Sequence, residues 1–208
     1  MDTATVAKFN MIEQQLRPWE VLDRNVLSAI DQLDRENFVP EIYKGLAYAD
    51  CQIPLDNASS MFPPIVEGRL LQSLLIDTDD DILEIGTGSG YVTACLAMLG
   101  KRVLSLDIDT VCQQSAATIF KTMRLDNIEL EQLDVFTCQY DEAFNAIAVT
   151  GSVSSVPENL KTALKVGGRL FVIVGESPAM QAMLITRAST NEWITESLFE
   201  TDLPALII

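Results

Sequence analysis

Ile82-Leu83-Glu84-Ile85 runs straight into Gly86-Thr87-Gly88-Ser89-Gly90-Tyr91. An apolar run ends in glycines at three alternate positions, with small polar residues between them. Val92 to Leu99 is then apolar and helical in period. This pattern predicts a buried strand, a tight turn and a helix start. Glycine in such a turn lets a ligand approach the backbone, because no Cβ stands in the way. The segment therefore points to a chain that carries a nucleotide-like ligand between a strand and a helix.

The surroundings agree with an α/β reading. Strands are expected at Asp81–Ile85, Arg102–Asp107, Ile128–Gln132, Phe144–Val149 and Arg169–Gly175. Helices are expected at Thr110–Met123 and Pro157–Leu164, and Gly167-Gly168 turns the chain into the fifth strand. Strands alternating with helices predict a doubly wound, mostly parallel sheet. Met183–Arg187 and Ile194–Glu200 flank Ser189–Glu192 and read as a closing antiparallel hairpin.

The first third is different. Val6–Gln15 reads as a helix broken by Pro18, and Asp23 as the N-cap of a second helix through Ile30. Arg35–Pro40 reads as a turn, Glu41–Tyr48 as a short helix and Ile65–Leu75 as another. Asp50–Pro63, with Pro54, Asn57, Ser59, Ser60 and Pro63, reads as irregular. No linker separates two domains. The expectation is one domain over 1–208: a helical and substrate-loop part at 1–76, packed on a core at 77–208.

Composition narrows the function classes. Fourteen basic residues against 30 acidic ones give a net charge of −16. That field repels a phosphate backbone and argues against nucleic acid as partner. No apolar run approaches the roughly 20 residues that span a bilayer, and Met1–Asn10 lacks the pattern of a secretory signal. The expected compartment is the cytoplasm, with no membrane partner. The chain has no histidine, and Cys51, Cys95, Cys112 and Cys138 form no CxxC pair. No metal site is expected, and no triad with imidazole as base. Cys95 falls on the apolar face of the helix after the turn and reads as a small buried hydrophobe.

The glycine spacing also restricts the ligand. A dinucleotide fingerprint needs glycine at 86, 88 and 91, and position 91 is Tyr. A nucleoside without a pyrophosphate fits better. Val103-Leu104-Ser105-Leu106 ends in Asp107, 21 residues after Gly86, which predicts a carboxylate at the carboxyl end of the neighbouring strand. There it can accept both ribose hydroxyls. Asp109 next to it reads as a helix N-cap. Asp134, after the third strand, can accept an adenine amino group. Glu84 is expected to point towards the same crevice, anchoring the loop or approaching the amino-acid part of the ligand. With Thr87, Ser89, Ile108 and Val135 beside them, these residues form the expected cofactor set. Adenine, a ribose with free hydroxyls and a zwitterionic tail without phosphate describe S-adenosylmethionine. Its sulfonium methyl is already activated, so a protein without histidine can use it.

More of the chain then resembles the protein-L-isoaspartate O-methyltransferase family. Ile12-Glu13-Gln14-Gln15-Leu16, Arg35-Glu36-Asn37-Phe38-Val39-Pro40, Ala47-Tyr48-Ala49-Asp50 and Ile53-Pro54-Leu55 follow in the family's order. Phe144-Asn145-Ala146-Ile147-Ala148-Val149-Thr150, Val156-Pro157 and Gly167-Gly168-Arg169-Leu170 continue it downstream. The resemblance implies a Rossmann-like methyltransferase fold with added N-terminal helices, and S-adenosylmethionine held at Gly86, Gly88, Gly90, Asp107 and Asp134. It implies methyl transfer to the α-carboxyl of isoaspartyl residues in damaged proteins.

One departure concerns catalysis. The family's Thr-Ile-Ser-Gln-Pro loop is matched here by Ser59-Ser60-Met61-Phe62-Pro63. Aligned on the proline, the family's active-site serine falls on Met61, which cannot donate a hydrogen bond to a carboxylate. Either a shifted loop lets Ser60 serve, with Ser59 in the threonine's place, or the substrate pocket is rebuilt. Asn145 also stands where the family usually has Asp. Three functions stay open on these residues: an isoaspartyl carboxyl methyltransferase, a methyltransferase on another acceptor such as a small molecule, or a cofactor-binding protein without catalysis. Like charge slows encounter with an anionic peptide unless the mouth is locally basic, and Arg17, Lys44, Arg69 and Arg187 are the candidates.

Overall fold

The structure is a computed structural model that describes residues 2–55, 59–137 and 139–207. Asn57 and Cys138 lie outside the described residues.

Helix α1 (Thr3–Asn10) runs without a break into a π turn, Met11–Leu16, and a 3-10 turn, Arg17–Trp19. Pro18 does not break the pattern where the sequence suggested. It sits near the end of the continuous helical stretch, inside the 3-10 turn, and the chain stops two residues later at Glu20 in the left-handed region (φ 63°). Helix α2 (Arg24–Gln32) is capped as expected: Asp23 Oδ1 accepts from the N–H groups of Asn25 and Val26. Arg35–Phe38 and Glu41–Leu46 are 3-10 turns. The stretch expected to be irregular contains a small antiparallel pair, β1 (Ile53–Pro54) and β2 (Ser60–Met61). Helix α3 (Pro64–Ser73) follows.

The core alternates as the sequence predicts. Strand β3 (Asp81–Ile85) leads to α4 (Tyr91–Leu99), and β4 (Arg102–Asp107) to α5 (Thr110–Met123). Then come β5 (Ile128–Gln132), β6 (Phe144–Val153), α6 (Glu158–Ala163) and β7 (Leu164–Glu176). Strands β8 (Ala179–Ser189) and β9 (Glu192–Thr201) form the expected hairpin. The sheet order is β5-β4-β3-β6-β7-β8-β9, parallel up to β7 and antiparallel beyond it.

Strands β8 and β9 run longer than expected, and two further boundary differences share one reason: the ladder absorbs irregularities that read as turns. The β6–β7 register jumps between Phe144↔Leu164 and Ala146↔Arg169, so Gly167-Gly168 forms a bulge inside β7, with Gly167 at φ 84°. A second shift, between Ala148 and Ser152, carries β6 four residues past Val149.

The parallel strands are buried on both faces. Ile82, Ala146 and Ala148 join the core under α4, α5 and the N-terminal helices, while Leu83, Ile85, Ile147 and Val149 join the core with Leu160 and Ala163 of α6. Helices α2 and α3 reach the sheet through α4. Glu84, two residues after Ile82, shares the α4 face of β3, and its register partner across to β4 is Ser105.

Candidate functional site

The carboxyl ends of β3, β4 and β6 open onto a crevice of about 850 Å³. An open α/β sheet binds its ligands at this edge. Gly86 and Gly88 line the crevice at φ 98° and 50°. A Cβ on Gly86 would strike the Thr150 hydroxyl, which lies 2.8 Å from the Ile85 carbonyl oxygen and 2.5 Å from that of Gly86.

Asp107 closes the turn from the next strand. Its Oδ2 accepts from Gly88 N–H at 3.0 Å and its Oδ1 from Asp109 N–H at 2.8 Å. Each oxygen keeps acceptor capacity for a further donor. Asp109 caps α5, as expected, accepting from Val111 N–H. Asp134 Oδ1 accepts from Phe136 N–H at 2.9 Å, which fixes it at the crevice beside Val135. Of the expected cofactor set, Gly86, Thr87, Gly88, Ser89, Asp107, Ile108, Asp134 and Val135 all line this one crevice.

Two members of that set stand elsewhere. Gly90 faces α5: a Cβ there would lie 2.8 Å from Ala116 Cβ and from the Phe120 ring. Its bareness serves helix packing, the role that a dinucleotide fold gives its third glycine. Glu84 is not at the crevice but under it. It is 0% exposed, and its Oε2 accepts from Thr93 at 2.5 Å and Ser105 at 2.6 Å. Burial pushes its carboxyl up to about 8, against the pull of these two hydroxyls.

Tyr91 is explained by what stands behind the turn. It is buried, meets Phe38 edge-on at 5.4 Å, and lies under the Arg35 guanidinium at 5.3 Å. Arg35 is 0% exposed. It donates to both Glu67 oxygens (3.0 and 2.9 Å), to the Ala47 carbonyl (2.6 Å) and to the Phe62 carbonyl (2.7 Å). This clamp holds the loop that faces the donor turn. Burial drives the Glu67 carboxyl up, and Arg35 opposes that shift.

The loop brings Ser59, Ser60, Met61 and Phe62 to the crevice together. Pairing of Ile53 with Met61 and of Pro54 with Ser60 fixes its register. Ser60 Oγ donates to Gln52 Oε1 at 3.4 Å, and Met61 is buried at 4% exposure. Both hydroxyls expected to act are therefore on the crevice wall.

None of the four cations named as candidates for a basic mouth lines the crevice. Arg17 pairs with Glu13, Lys44 with Glu41, and Arg69 stacks over Phe199. Arg187 is buried, donating to Glu142 and the Leu164 carbonyl. Among the described residues no Lys or Arg lines the crevice. Walls that were not expected include Thr150, Gly151, Glu67, the apolar residues Leu55, Ile85, Val92, Leu106 and Leu133, and the C-terminal segment. Pro204 to Ile207 forms a side of the crevice, held where Ser152 N–H donates to Pro204 O and Leu206 N–H to Ser152 O. A Cβ on Gly151 would come within 2.7 Å of Leu206 Cα. Thr150 ends the Phe144–Thr150 run and was detectable as a strand-end polar residue. The C-terminal segment carries no local signal, because its contact spans some fifty residues.

A model of the protein-L-isoaspartate(D-aspartate) O-methyltransferase family matches residues 7–202. The chain belongs to that family. It is 37% identical over 177 residues to the protein-L-isoaspartate O-methyltransferase of Roseobacter denitrificans, covering 85% of this chain and 83% of that one. The Aliivibrio salmonicida enzyme of the same name is 35% identical over 182 residues, 87% of each chain. In fold, the chain is similar to the crystal structure of a beta-aspartate methyltransferase from Plasmodium falciparum in complex with S-adenosyl-L-homocysteine. The TM-score is 0.81 at 21% identity, over 100% of this chain and 99% of that one. For this member of the isoaspartyl methyltransferase family, among the described residues no helix is long and apolar enough to cross a membrane.

Proposed function

We propose that this chain is an S-adenosylmethionine-dependent methyltransferase that esterifies the carboxylate of isoaspartyl residues in damaged polypeptides. The observation that carries the reading is one crevice shared by a glycine turn, Asp107 and the Ser59–Phe62 loop. The donor side fits the cofactor chemically. Asp107 and Asp134 offer acceptors to hydroxyl and amino groups, and Gly86 and Gly88 leave backbone where a side chain would intrude. No cation stands ready for a phosphate among the described lining residues. Gly86, Thr87, Gly88, Ser89, Asp107, Ile108, Asp134 and Val135 would hold S-adenosylmethionine, which supplies a methyl group activated on a sulfonium.

The remaining work is positional. A carboxylate is ionised at neutral pH and needs no general base, which suits a chain without histidine. Ser60, with Ser59 beside it, would turn its one hydrogen from Gln52 to the acceptor carboxylate and hold it in line with the methyl group. Met61, buried beside Ser60 in the same loop, has no donor to offer.

A second cavity adjoins the crevice and shares the wall Pro204–Leu206 with it. It would take residues flanking the acceptor in a polypeptide. We read the chain as one methyltransferase domain with residues 1–76 forming the acceptor side and 77–208 the donor side, at work in the cytoplasm. Methyl transfer to a synthetic isoaspartyl peptide tests this reading. Incorporation supports it. Binding of S-adenosylhomocysteine without incorporation would point to another acceptor or to lost catalysis.

A further inference from the structure

Beneath the donor turn lies a file of buried polar groups that ends on Thr87 of the crevice wall. Glu84 Oε2 receives Ser105 Oγ at 2.6 Å, and Ser105 Oγ lies 2.8 Å from Thr87 Oγ1. Ser105 has one hydrogen. Given to Glu84, it leaves an oxygen lone pair, so Thr87 must be the donor in the second contact. Gln113 completes the file, with Nε2 3.5 Å from Thr87 Oγ1 and 2.9 Å from the Glu131 carbonyl that anchors it. All of Glu84, Thr93, Ser105, Thr87 and Gln113 are buried, while Thr87 alone lines the crevice.

Hydrogen bonds in such a chain run in one direction and polarise one another. An ionised Glu84 can only accept, so it turns every hydroxyl toward itself. Thr87 then points its hydrogen inward and presents only oxygen lone pairs to the crevice. A neutral Glu84 can donate to Ser105, which can donate to Thr87, whose hydrogen is then free to face the crevice. We propose that Glu84 is a positioning residue of the donor turn: through Ser105 it sets the direction of the Thr87 hydroxyl, and so whether that wall offers the cofactor a donor or an acceptor. The proposal rests on the donor site described above.

Two further observations support it. Glu84 Oε1 is buried without a partner in the structure, so the ionised form is only half satisfied. Burial accordingly holds the carboxyl at about 8, where both states are populated near neutral pH. The titratable groups facing it are Asp107 from β4, which raises it further, and Cys95 from α4, whose own thiol burial pushes up and keeps neutral.

Calorimetry with S-adenosylhomocysteine tests the relay. Ser105→Ala cuts the file between Glu84 and Thr87 while keeping both residues, so it should weaken binding by up to about tenfold, as expected when Thr87 loses the direction of its one hydrogen bond to the cofactor. Thr87→Val should do the same, and the double variant should bind no worse than Thr87→Val alone. Wild-type affinity should change between pH 7 and 9 more than that of Ser105→Ala or of Glu84→Gln. Glu84→Gln keeps shape and an acceptor oxygen but loses the titration, so it separates direction from mere support. If Ser105→Ala binds as tightly as wild type with the same pH profile, the relay is overturned and the donor site stands. If wild type does not bind S-adenosylhomocysteine at all, both fall.

Discussion

The backbone N–H of Gly88 donates to Asp107 Oδ2 at 3.0 Å. That one contact joins the middle of the glycine turn to the end of the neighbouring strand, 19 residues on. Asp107 therefore fixes the turn, and each of its oxygens keeps acceptor capacity at the crevice, which the proposed function assigns to a ribose.

Asp107→Ala removes both. Binding of S-adenosylhomocysteine should weaken by at least about tenfold, since charge-assisted hydrogen bonds contribute ~1.5–3 kcal/mol each. Calorimetry reads this directly, and wild-type affinity in the variant would show that the ribose lies elsewhere.

The loop makes a different prediction. Ser60→Ala should lower kcat/KM for an isoaspartyl peptide by about 10–100-fold, as expected for a lost orienting hydrogen bond. Its affinity for S-adenosylhomocysteine should be unchanged. Undiminished methyl transfer would remove Ser60 from the acceptor site.

Arg35 should be a stability residue first. Arg35→Met strands the buried Glu67 carboxylate and two loop carbonyls, at a cost of about 3–5 kcal/mol. For a chain of this size that is a fall in Tm of roughly 6–20 °C. Replacing Glu67 as well, in Arg35→Met/Glu67→Leu, should recover much of the loss, because no unpaired charge then remains. Thermal unfolding of the single and double variants checks the order.

Glu84 gives a pH dependence with a defined sign. Its carboxyl is raised from 4.5 to about 8 in the folded protein, so folding favours the protonated form. The stabilisation it contributes is complete below the unfolded value and is lost as pH rises from about 4.5 to about 8. Relative to Glu84→Gln, wild type should therefore lose Tm across that window and run parallel to it above. Parallel curves throughout would show that Glu84 does not take up a proton on folding.

The parts of this molecule that read correctly from sequence are those governed by local rules. Apolar period placed β3, β4, α5 and β5, and single side chains placed the caps at Asp23 and Asp109. Asp107 was legible because a strand end and a glycine turn coincide. What did not read was set by distant contacts. Gly90 looks like a ligand contact until α5 is seen to press on it. Glu84 sits on a strand whose pleat sends it under α4, and only the fold shows Ser105 waiting beside it. The wall from Pro204 to Ile207 depends on its bonds to Ser152, which no local pattern announces. Arg187, a candidate for a basic mouth, is buried where it donates to Glu142 and to the carbonyls of Thr162, Leu164 and Thr190, partners that no local pattern shows.

The most direct measurement is transfer of a labelled methyl group from S-adenosylmethionine to two peptides of one sequence, one with an isoaspartyl residue and one with normal aspartate. The account predicts base-labile label in the isoaspartyl peptide and none above background in its isomer. Equal labelling of both, or label in neither while S-adenosylhomocysteine binds, would contradict it.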